Sequence, residues 1–375
     1  MTLAGRQPLV VVAAGGTAGH LFPAEALAAA LVSRNVTVDL ATDERATRYG
    51  SVFPARAIHV IPSATLRRSN PLTFVTAPAT IGYGALRAFL LLARLRPAAV
   101  IGFGGYPTVP PLAAARLLGI PSLIHEQNGV LGRANRRLAP WVDAIATSFP
   151  DVLAGHPALA AKATFTGNPV RPAVIRAAAT PFAAPGEGSI RLLVFGGSQG
   201  ARVMADVVPP AIEQLPAELR SRLHVVQQAR DEDTGRVRST YARLDVKAEI
   251  APFFADLPAR MAASHLVVSR SGASTVAELA AIGRPAILVP LPHALDNDQL
   301  VNAGVLANAG GALCIEQSGF TPKRLAAELS NLIAEPEKLQ RMAESAKGCG
   351  TVDAAERLAD LVVRVARLQH APERQ

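Results

Sequence analysis

The sequence predicts an α/β protein with two Rossmann-like, doubly wound domains. Its 375 residues exceed what one hydrophobic core usually serves. An apolar strand, a glycine-bearing turn and a helix follow one another from Leu9, and the same pattern restarts at Ile190. Both strands are continuous apolar runs without polar alternation. Such runs are typical of parallel sheets covered by helices on both faces.

The first half of the chain contains five predicted strands with helices between them. The first strand leads into a turn at residues 15–19, and the next helix is expected to begin near Pro23, since proline fits the start of a helix. The strands are predicted at residues 9–14, 36–41, 98–101, 122–124 and 144–147.

The second half repeats this arrangement after a segment rich in Ala, Pro and Gly. We interpret residues 1–171 as the first domain, 172–189 as a linker, 190–350 as the second domain and 351–375 as a C-terminal helical segment. The strands of the second domain are predicted at residues 190–195, 223–226, 247–250, 266–269, 286–289 and 312–315.

Composition narrows the class of protein. Hydrophobic residues make up 50% and charged residues 18%, as in globular proteins, and the formal net charge of +9 favours anionic partners. Aromatic residues are only 5% and no nucleic-acid-binding motif is present, so phosphorylated substrates or an anionic membrane surface fit better. Two cysteines imply no disulfide framework and fit a reducing, cytoplasmic compartment. No apolar stretch is long enough to span a membrane.

Glycine turns that follow strands indicate phosphate binding. Backbone N–H groups and a helix N-terminus can hold an anion in the turns at residues 15–19, 102–105 and 196–200. Their spacing differs from the dinucleotide fingerprint, although Asp39 stands near the end of the second strand, where a ribose-binding acid would lie. A nicotinamide enzyme therefore remains an alternative, whereas the absence of a Walker-type lysine disfavours ATP hydrolysis.

Seven motifs carry a resemblance to a known family. The chain resembles the MurG family of UDP-N-acetylglucosamine transferases, glycosyltransferase family 28, over nearly its whole length. The motifs stand in family order at residues 15–20, 104–106, 125–128, 167–171, 196–201, 270–273 and 296–303.

The resemblance implies a two-domain GT-B fold, with two Rossmann-like domains facing a cleft and the last helix packing back on the first domain. It implies an inverting transfer of GlcNAc from UDP-GlcNAc to the C4 hydroxyl of MurNAc in undecaprenyl-diphosphate-linked lipid I, giving lipid II for peptidoglycan. No metal or other cofactor is expected. The first domain would bind the acceptor and the second the donor. The implied place is the cytoplasmic face of the cell membrane, as a peripheral protein beside other cell-wall synthesis proteins.

The reaction needs a base for the acceptor hydroxyl and positive groups for the departing diphosphate. His20 closes the first glycine turn, and imidazole titrates near neutrality, so it suits the base. Its alternative role is to cap the helix or to orient an acceptor phosphate. Glu126 is the second candidate for the base, and its alternative role is to orient a helix or to make a contact on the ribose side. Arg171 supplies a fixed cation near the diphosphate.

By resemblance, further residues contact the substrates. The acceptor residues are Gly16, Gly104, Gly105 and Tyr106. The donor residues are Thr17, Ala18, Gly19, Asn128, Arg171, Ser198, Gln199, Phe254, Gly272, Ala273, Ser274, Thr275, Glu278 and Gln299. Among these, Glu278 resembles the acidic residue that binds the ribose hydroxyls in the family. The alternative is that Glu278 is an ordinary residue on the surface of a helix. Phe254 resembles the residue beside uracil, with a plain core aromatic as the alternative.

Several residues depart from the family or suggest other chemistry. Ala18 stands where the family usually has glycine, and it would be strained if that position required positive φ. Asn297 and Asp298 also differ from the commoner residues. Two Asp-x-Asp pairs, at 231–233 and 296–298, resemble metal-binding sequences of another glycosyltransferase fold. We expect a solvated face at the first pair and a donor-segment role at the second.

Residues 66–96 predict peripheral membrane binding, because bulky apolar residues alternate there with cations. The rival functions are a UDP-sugar epimerase of the same fold and a non-catalytic nucleotide-sugar-binding protein. The presence of His20 and Glu126 disfavours the latter. The predicted membrane-binding residues are Leu66, Arg67, Arg68, Leu72, Phe74, Val75, Arg87, Phe89 and Leu90, with Arg133, Arg136 and Arg137 nearby.

Overall fold

The computed structural model describes residues 7–15, 17–44, 53–62, 72–197, 200–292 and 294–368, with the backbone alone described at residues 18, 72–81 and 295. The chain divides into two compact units. The first comprises Met1–Arg171 and Asp353–Gln375, and the second comprises Pro172–Val352.

The first unit is a seven-stranded parallel sheet. Its strands are β1 (Leu9–Ala13), β2 (Thr37–Thr42), β3 (Ala57–Val60), β4 (Ala99–Gly102), β5 (Ser122–Glu126), β6 (Ala144–Thr147) and β7 (Ala163–Phe165). They lie in the order β3-β2-β1-β4-β5-β6-β7. The strand order therefore reverses beside β1, between β1 and β4, and ligands of doubly wound sheets bind at such a switch point.

Helices cover this sheet, and the last of them comes from the end of the chain. They are α1 (Ala18–Ser33), α2 (Leu72–Leu95), α3 (Val109–Leu117), α4 (Arg133–Leu138), α5 (Pro157–Ala160) and, after the second unit, α15 (Ala354–Val365). Helix α15 contacts α1, β4, β5 and β6. Its Leu358 and Val362 are fully buried in the same apolar cluster as Val10 of β1.

The second unit repeats the design. Its strands are β8 (Ile190–Phe195), β9 (Leu223–Gln228), β10 (Lys247–Ala251), β11 (Leu266–Ser269), β12 (Ala286–Leu288) and β13 (Ala312–Cys314), in the order β10-β9-β8-β11-β12-β13. Its helices are α6 (Pro172–Ala178), α7 (Arg202–Glu213), α8 (Ala217–Ser221), α9 (Asp231–Arg243), α10 (Leu257–Ala263), α11 (Ala273–Ile282), α12 (Asp298–Asn308), α13 (Pro322–Ala334) and α14 (Pro336–Gly348). The switch point lies between β8 and β11.

The prediction of two doubly wound α/β domains is confirmed, and all eleven predicted strands are present to within two residues at each end. Two short edge strands, β3 and β7, were not predicted. Residues 172–178, interpreted as linker, form a helix that packs on α10 and α11 of the second unit.

The start of the first helix also differs from the prediction. Helix α1 begins at Ala18 because the N–H groups of His20 and Leu21 already bond to the Thr17 carbonyl. Pro23 therefore lies inside the helix, where one intrahelical hydrogen bond is lost. Ala18 has helical backbone geometry, so the strain expected if it required positive φ does not arise.

Candidate active site

One candidate site, within the first unit, lies at the carboxyl ends of β1 and β4. Gly104 and Gly105 both have positive φ, 82° and 77°, which residues with a Cβ rarely adopt. The His20 ring lies against both glycines and Gly15, with ring carbons within 3.6 Å of where a Cβ would stand. A Cβ at any of these positions would stand in van der Waals contact with the imidazole. The three predicted residues Gly104, Gly105 and His20 are thus brought together.

His20 begins a chain of hydrogen-bonding groups. Its Nδ1 lies 3.2 Å from Oε1 of Gln127. The amide nitrogen of Gln127 lies 3.1 Å from Nδ1 of His125 and also 3.1 Å from the His125 carbonyl oxygen. His125 Nε2 lies 3.0 Å from the carbonyl oxygen of Gly167. Burial lowers the pKa of His125 to about 4, so this imidazole is neutral at pH 7.

Glu126 is fully buried and accepts four hydrogen bonds. Oε1 accepts from the backbone and side-chain nitrogens of Asn128, at 3.0 and 3.2 Å. Oε2 accepts from the backbone N–H of Gly132, at 2.9 Å, and from the side chain of Asn135, at 2.8 Å. Burial raises the pKa of Glu126, and these donors oppose the rise. The geometry favours the orienting role over the base, because Glu126 fixes the loop that carries Asn128 and the start of α4.

Arg171 is held against the first helix. Its guanidinium carbon lies 4.2 Å from the centre of the Phe22 ring, within the range of a cation–π contact. Burial raises the pKa of Glu25, and the positive charge of Arg171 opposes that rise. The cation expected near diphosphate is therefore positioned by two residues of α1.

Two further buried polar side chains follow the ends of β6 and β7. Among the described residues, nothing hydrogen-bonds to the hydroxyl of Ser148 or to either amide atom of Asn168. Buried polar groups are normally satisfied. These atoms mark a place where a polar group of another molecule would find partners, and neither residue was singled out for a role from the sequence.

A second candidate site, within the second unit, begins with the turn after β8. A Cβ on Gly196 would stand 2.2 Å from the backbone nitrogen of Ala201, so only glycine fits. Gly197 and Gly200 have positive φ, 87° and 66°. The predicted donor residues Ser198 and Gln199 lie outside the described residues, as does Gly16 of the first turn.

Two residues at the end of β9 hold this turn. The Gly196 N–H donates to Oε1 of Gln228 at 2.9 Å, and the other side of that amide donates to the Pro252 carbonyl at 3.1 Å. Arg230 donates to the carbonyl of Gly200 at 3.3 Å. Neither Gln228 nor Arg230 was identified from the sequence, because their role depends on contacts across the sheet.

Helix α11 presents its N-terminus at the carboxyl end of β11. Gly272 is the N-cap and has no side chain to cap the first turn, so the N–H groups of residues 273–275 have no acceptor within the helix. The buried hydroxyl of Ser274 has no hydrogen-bond partner in the described part of the chain. The side chain of Glu278 is only 6% exposed, which disfavours the surface-residue alternative. The stretch can therefore receive an anion.

Left-handed backbone geometry and hydrogen bonds of Gln299 shape the segment that leads into α12. Asp296 and Asn297 both have left-handed geometry, at φ 57° and 54°, which Asp and Asn tolerate better than most residues. Gln299 accepts a hydrogen bond from the Leu291 N–H at its Oε1, 3.0 Å away. The Gln299 carbonyl accepts from the hydroxyl of Ser271 at 2.7 Å. Residues 297 and 298, which differ from the commoner residues of the family, thus lie at a left-handed turn, and Asn297 tolerates that backbone geometry.

Phe253 and Phe254 follow β10 and differ in exposure. The Phe254 side chain is 8% exposed, and the guanidinium carbon of Arg260 lies 4.4 Å from its ring centre. This favours the core-aromatic alternative for its ring. Phe253 is 68% exposed and was not identified from the sequence.

Arg270 places a buried cation beneath the ends of β11 and β12. It donates to the carbonyls of Val289 and Pro290, at 3.0 and 2.9 Å, and to the side chain of Gln317. Burial lowers the pKa of this guanidinium. The sequence placed Arg270 in a motif but assigned it no role.

The structure also bears on the alternatives. Asp39 is fully buried and pairs with Arg56, at 2.7 Å, and with His59, at 2.9 Å. Its carboxylate therefore bonds to neighbouring side chains and is not available to bind a ribose. The first Asp-x-Asp pair opens α9, where Asp233 is buried against Arg236, so only part of it is a solvated face. Across the described ranges, no group of three potential metal ligands occurs and no helix is long and apolar enough to cross a membrane.

Comparison with known proteins identifies the class. Residues 10–147 match the glycosyltransferase family 28 N-terminal domain, and residues 191–358 match the family 28 C-terminal domain. The chain is thus a family 28 glycosyltransferase. Within family 28 it belongs to the MurG family, as the motif resemblance predicted.

The relatives are similar over nearly their full lengths. The UDP-N-acetylglucosamine–N-acetylmuramyl-(pentapeptide) pyrophosphoryl-undecaprenol N-acetylglucosamine transferase of Rhodopseudomonas palustris (strain BisB18) is 63% identical over 360 residues, 96% of each chain. The protein of the same name from Bradyrhizobium sp. (strain ORS 278) is 60% identical over 362 residues, 96% of this chain and 99% of its own.

Solved structures agree with this fold. Acinetobacter baumannii MurG superposes with a TM-score of 0.77 at 30% identity, covering 96% of this chain and all of its own. A UDP-GlcNAc 2-epimerase from Neisseria meningitidis bound to UDP-GlcNAc reaches a TM-score of 0.68 at 17% identity, with 95% of this chain and 100% of that one covered. At that identity the epimerase shares the fold alone.

Proposed function

We propose that the chain transfers GlcNAc from UDP-GlcNAc to the C4 hydroxyl of MurNAc in undecaprenyl-diphosphate-linked lipid I, with inversion at the anomeric carbon, to give lipid II. The observation that carries the proposal is the full-length identity, 63% over 360 residues, to a protein named for this transfer. The paired glycine-lined sites at the two switch points support it, since each half of the reaction needs an anion-binding edge.

The first unit supplies the acceptor chemistry in this proposal. His20 takes the proton of the acceptor hydroxyl, and Gly16, Gly104, Gly105 and Tyr106 form the acceptor side. Glu126 orders the loop of Asn128 by its four hydrogen bonds and does not act as the base. Thr17, Ala18, Gly19, Asn128 and Arg171 contribute to donor binding from the same unit.

The second unit supplies the donor site. The first-turn N–H groups of α11, at Ala273, Ser274 and Thr275, together with Ser198 and Gln199 of the glycine turn, bind the diphosphate. Glu278 accepts from the ribose hydroxyls, and Gln299 contacts the sugar. The Phe254 ring is buried, so its contact with uracil would be made by its backbone, while the exposed Phe253 offers a face for stacking.

The transfer needs no metal in this proposal, because helix N-termini and Arg171 provide the positive field for the departing UDP. The acceptor is anchored in lipid, so the protein works at the cytoplasmic face of the membrane without spanning it. Helix α2 supports this: Tyr83, Leu86 and Leu90 are exposed on one face, and Arg87 and Arg94 lie beside them.

The deciding experiment is incubation with UDP-GlcNAc and a lipid I analogue, followed by mass spectrometry of the lipid product. A mass gain of one GlcNAc with release of UDP, retained in the presence of EDTA, is expected. Conversion of UDP-GlcNAc to an isomer without acceptor would favour the epimerase. Tight binding of ADP or NAD without UDP binding would overturn the assignment.

A further inference from the structure

Two backbone carbonyl groups fix the direction of the hydrogen bonds that lead to His20. A carbonyl oxygen can only accept, so the group facing it must carry a hydrogen. The Gly167 carbonyl lies 3.0 Å from Nε2 of His125, and the His125 carbonyl lies 3.1 Å from the side-chain nitrogen of Gln127. These two contacts do not depend on a choice of histidine tautomer.

The first carbonyl determines the tautomer of His125. Nε2 donates to Gly167, and the neutral ring then has its lone pair on Nδ1. The Gln127 nitrogen stands 3.1 Å from that lone pair and donates to it, as it also donates to the His125 carbonyl. Both requirements place the NH2 group of Gln127 toward His125. The Gln127 oxygen must therefore face the other way.

The Gln127 oxygen in turn determines the tautomer of His20. Oε1 lies 3.2 Å from Nδ1 of His20 and can only accept, so Nδ1 carries the hydrogen. We infer that Gln127 and His125 are positioning residues, which hold His20 in the Nδ1–H form and leave the basic lone pair on Nε2. The catalytic part of this inference rests on the proposed function.

The assigned tautomer fits the proposed proton transfer. As the C4 oxygen bonds to the anomeric carbon, the bond from that carbon to the UDP oxygen breaks and UDP leaves with the electron pair. The hydroxyl proton passes to Nε2. The resulting imidazolium keeps its Nδ1–H bond to the Gln127 oxygen, whose dipole stabilises the new charge. A neutral amide does here what a carboxylate does in a Ser-His-Asp triad, where it holds the histidine tautomer.

Gly104 and Gly105 lie beside the Nε2 edge of the His20 ring and bring no side chain of their own against it. The nearest contact of a Cβ on Gly105 with Nε2 would be 3.6 Å, and one on Gly104 would stand 3.5 Å from the adjacent ring carbon. Side chains at these positions would lie over the atom that receives the proton. The positive φ of both glycines makes such substitutions strained as well.

Long-range 1H–15N correlation NMR on the full-length protein with 15N-labelled histidine tests the assignment without any substrate. The His20 signals are identified by their loss in His20→Asn. At neutral pH we expect His20 as the Nδ1–H tautomer and His125 as the Nε2–H tautomer. A His20 signal with the hydrogen on Nε2 would overturn the inference, and this reading needs no change at a buried position.

Three variants test whether the contact of Gln127 with His20 contributes to catalysis. Gln127→Leu removes the acceptor, so His20 should lose its Nδ1–H preference. We expect kcat to fall about 10-fold or more, with the roughly 100- to 10,000-fold contribution of a general base as the upper limit. KM for UDP-GlcNAc should change little. Gln127→Glu keeps an acceptor for Nδ1 of His20 and should preserve that tautomer, but it removes the donor to His125, so the His125 signals should change. Gln340→Leu, at a half-buried glutamine on α14 that bonds to Glu344, is the control and should behave as the parent protein.

The outcomes separate the two proposals. Loss of the tautomer together with a lower kcat in Gln127→Leu supports the positioning role. An unchanged kcat in Gln127→Leu, with the tautomer lost, would overturn it. If the parent protein transfers no GlcNAc, the proposed function fails, while the NMR spectrum still decides whether Gln127 and His125 set the tautomer.

Discussion

At the scale of single residues, the buried carboxylate of Glu126 holds a loop in place by hydrogen bonds. The two oxygens of Glu126 are occupied by four N–H donors, three of them from Asn128 and Gly132. An acceptor hydroxyl has little access to either oxygen. The loop from residue 127 to residue 132 has no regular secondary structure, so its shape depends on these hydrogen bonds.

Glu126→Gln should therefore lower the stability of the first unit, and it should not remove the general base. The new NH2 group would face N–H donors, and each charge-assisted hydrogen bond contributes about 1.5–3 kcal/mol. We expect the free energy of unfolding of the first unit to fall by at least about 2 kcal/mol. Urea unfolding measures it. Glu356→Gln, which breaks an exposed pair with Arg34, is the control. A variant of unchanged stability that has lost its activity would restore Glu126 as a base.

Two buried histidines should make folding sensitive to acid. Burial, with the positive charges of Arg191 and Arg284, lowers the pKa of His265 to about 4, and burial lowers that of His125 to about 4. An unfolded histidine titrates near pH 6.5. As pH falls below that value the unfolded chain binds protons first, so stability decreases. The loss should be complete below about pH 4.

The slope should reach about 1.4 kcal/mol per pH unit for each neutral histidine. Urea unfolding between pH 7 and pH 5 measures it. His265→Gln should reduce the slope, because glutamine does not titrate, while the same change at the exposed His224 should not. Equal slopes for the His265→Gln variant and the parent protein would contradict this prediction.

At the scale of secondary structure, the last helix belongs to the first core. Helix α15 buries Leu358 and Val362 completely, and it presents Glu356 and Asp360 to Arg34 of α1 at 2.6 and 2.5 Å. The apolar face and the exposed ion pairs make unequal contributions, because exposed pairs are screened by water.

Leu358→Ala should cost about 2–5 kcal/mol of unfolding free energy, since a fully buried leucine leaves a cavity. Arg34→Ala should cost about 1 kcal/mol or less. Chemical denaturation followed by circular dichroism compares the two. If the arginine variant lost more stability than the leucine variant, electrostatic attachment would dominate and the packing argument would be wrong.

Secondary structure was predictable here wherever an apolar run was long enough to indicate a strand. The edge strands β3 and β7 have four and three residues, and they exist because a neighbouring strand offers an unpaired edge. Site residues likewise divide into those that a local sequence pattern reveals and those that depend on contacts formed in the fold. The glycine turns could be found from local spacing, whereas His20 and Gln127 are 107 residues apart and meet only in the folded sheet.

At the scale of the whole molecule, charge and apolar surface combine on α2. Tyr83, Leu86 and Leu90 are exposed, with Arg87 lying over Tyr83 at 5.9 Å from its ring centre. The side chains of Leu72, Phe74 and Val75, and all of Leu66, Arg67 and Arg68, lie outside the described residues. Helix α2 alone is thus a sufficient basis for a membrane experiment.

The protein should sediment with vesicles containing anionic lipid at low salt and be released at high salt. Arg87→Glu with Arg94→Glu should weaken binding, because each cation near such a surface contributes about 1 kcal/mol. Lys323→Glu with Arg341→Glu, at exposed positions on α13 and α14 of the second unit, is the matched charge control. Vesicle binding that the control weakens equally would indicate attraction by net charge alone. Absence of binding at every salt concentration would exclude the membrane surface.

The first unit is assembled from the two ends of the chain, with the second unit between them. This order has a consequence during protein synthesis. Residues 172–352 form one continuous unit that can fold as soon as it leaves the ribosome. The first 171 residues emerge earlier, yet their core lacks Leu358 and Val362 until the whole second unit has been synthesised. The domain made first is therefore finished last, and a nascent chain stalled near residue 350 would expose the apolar surface that α15 covers.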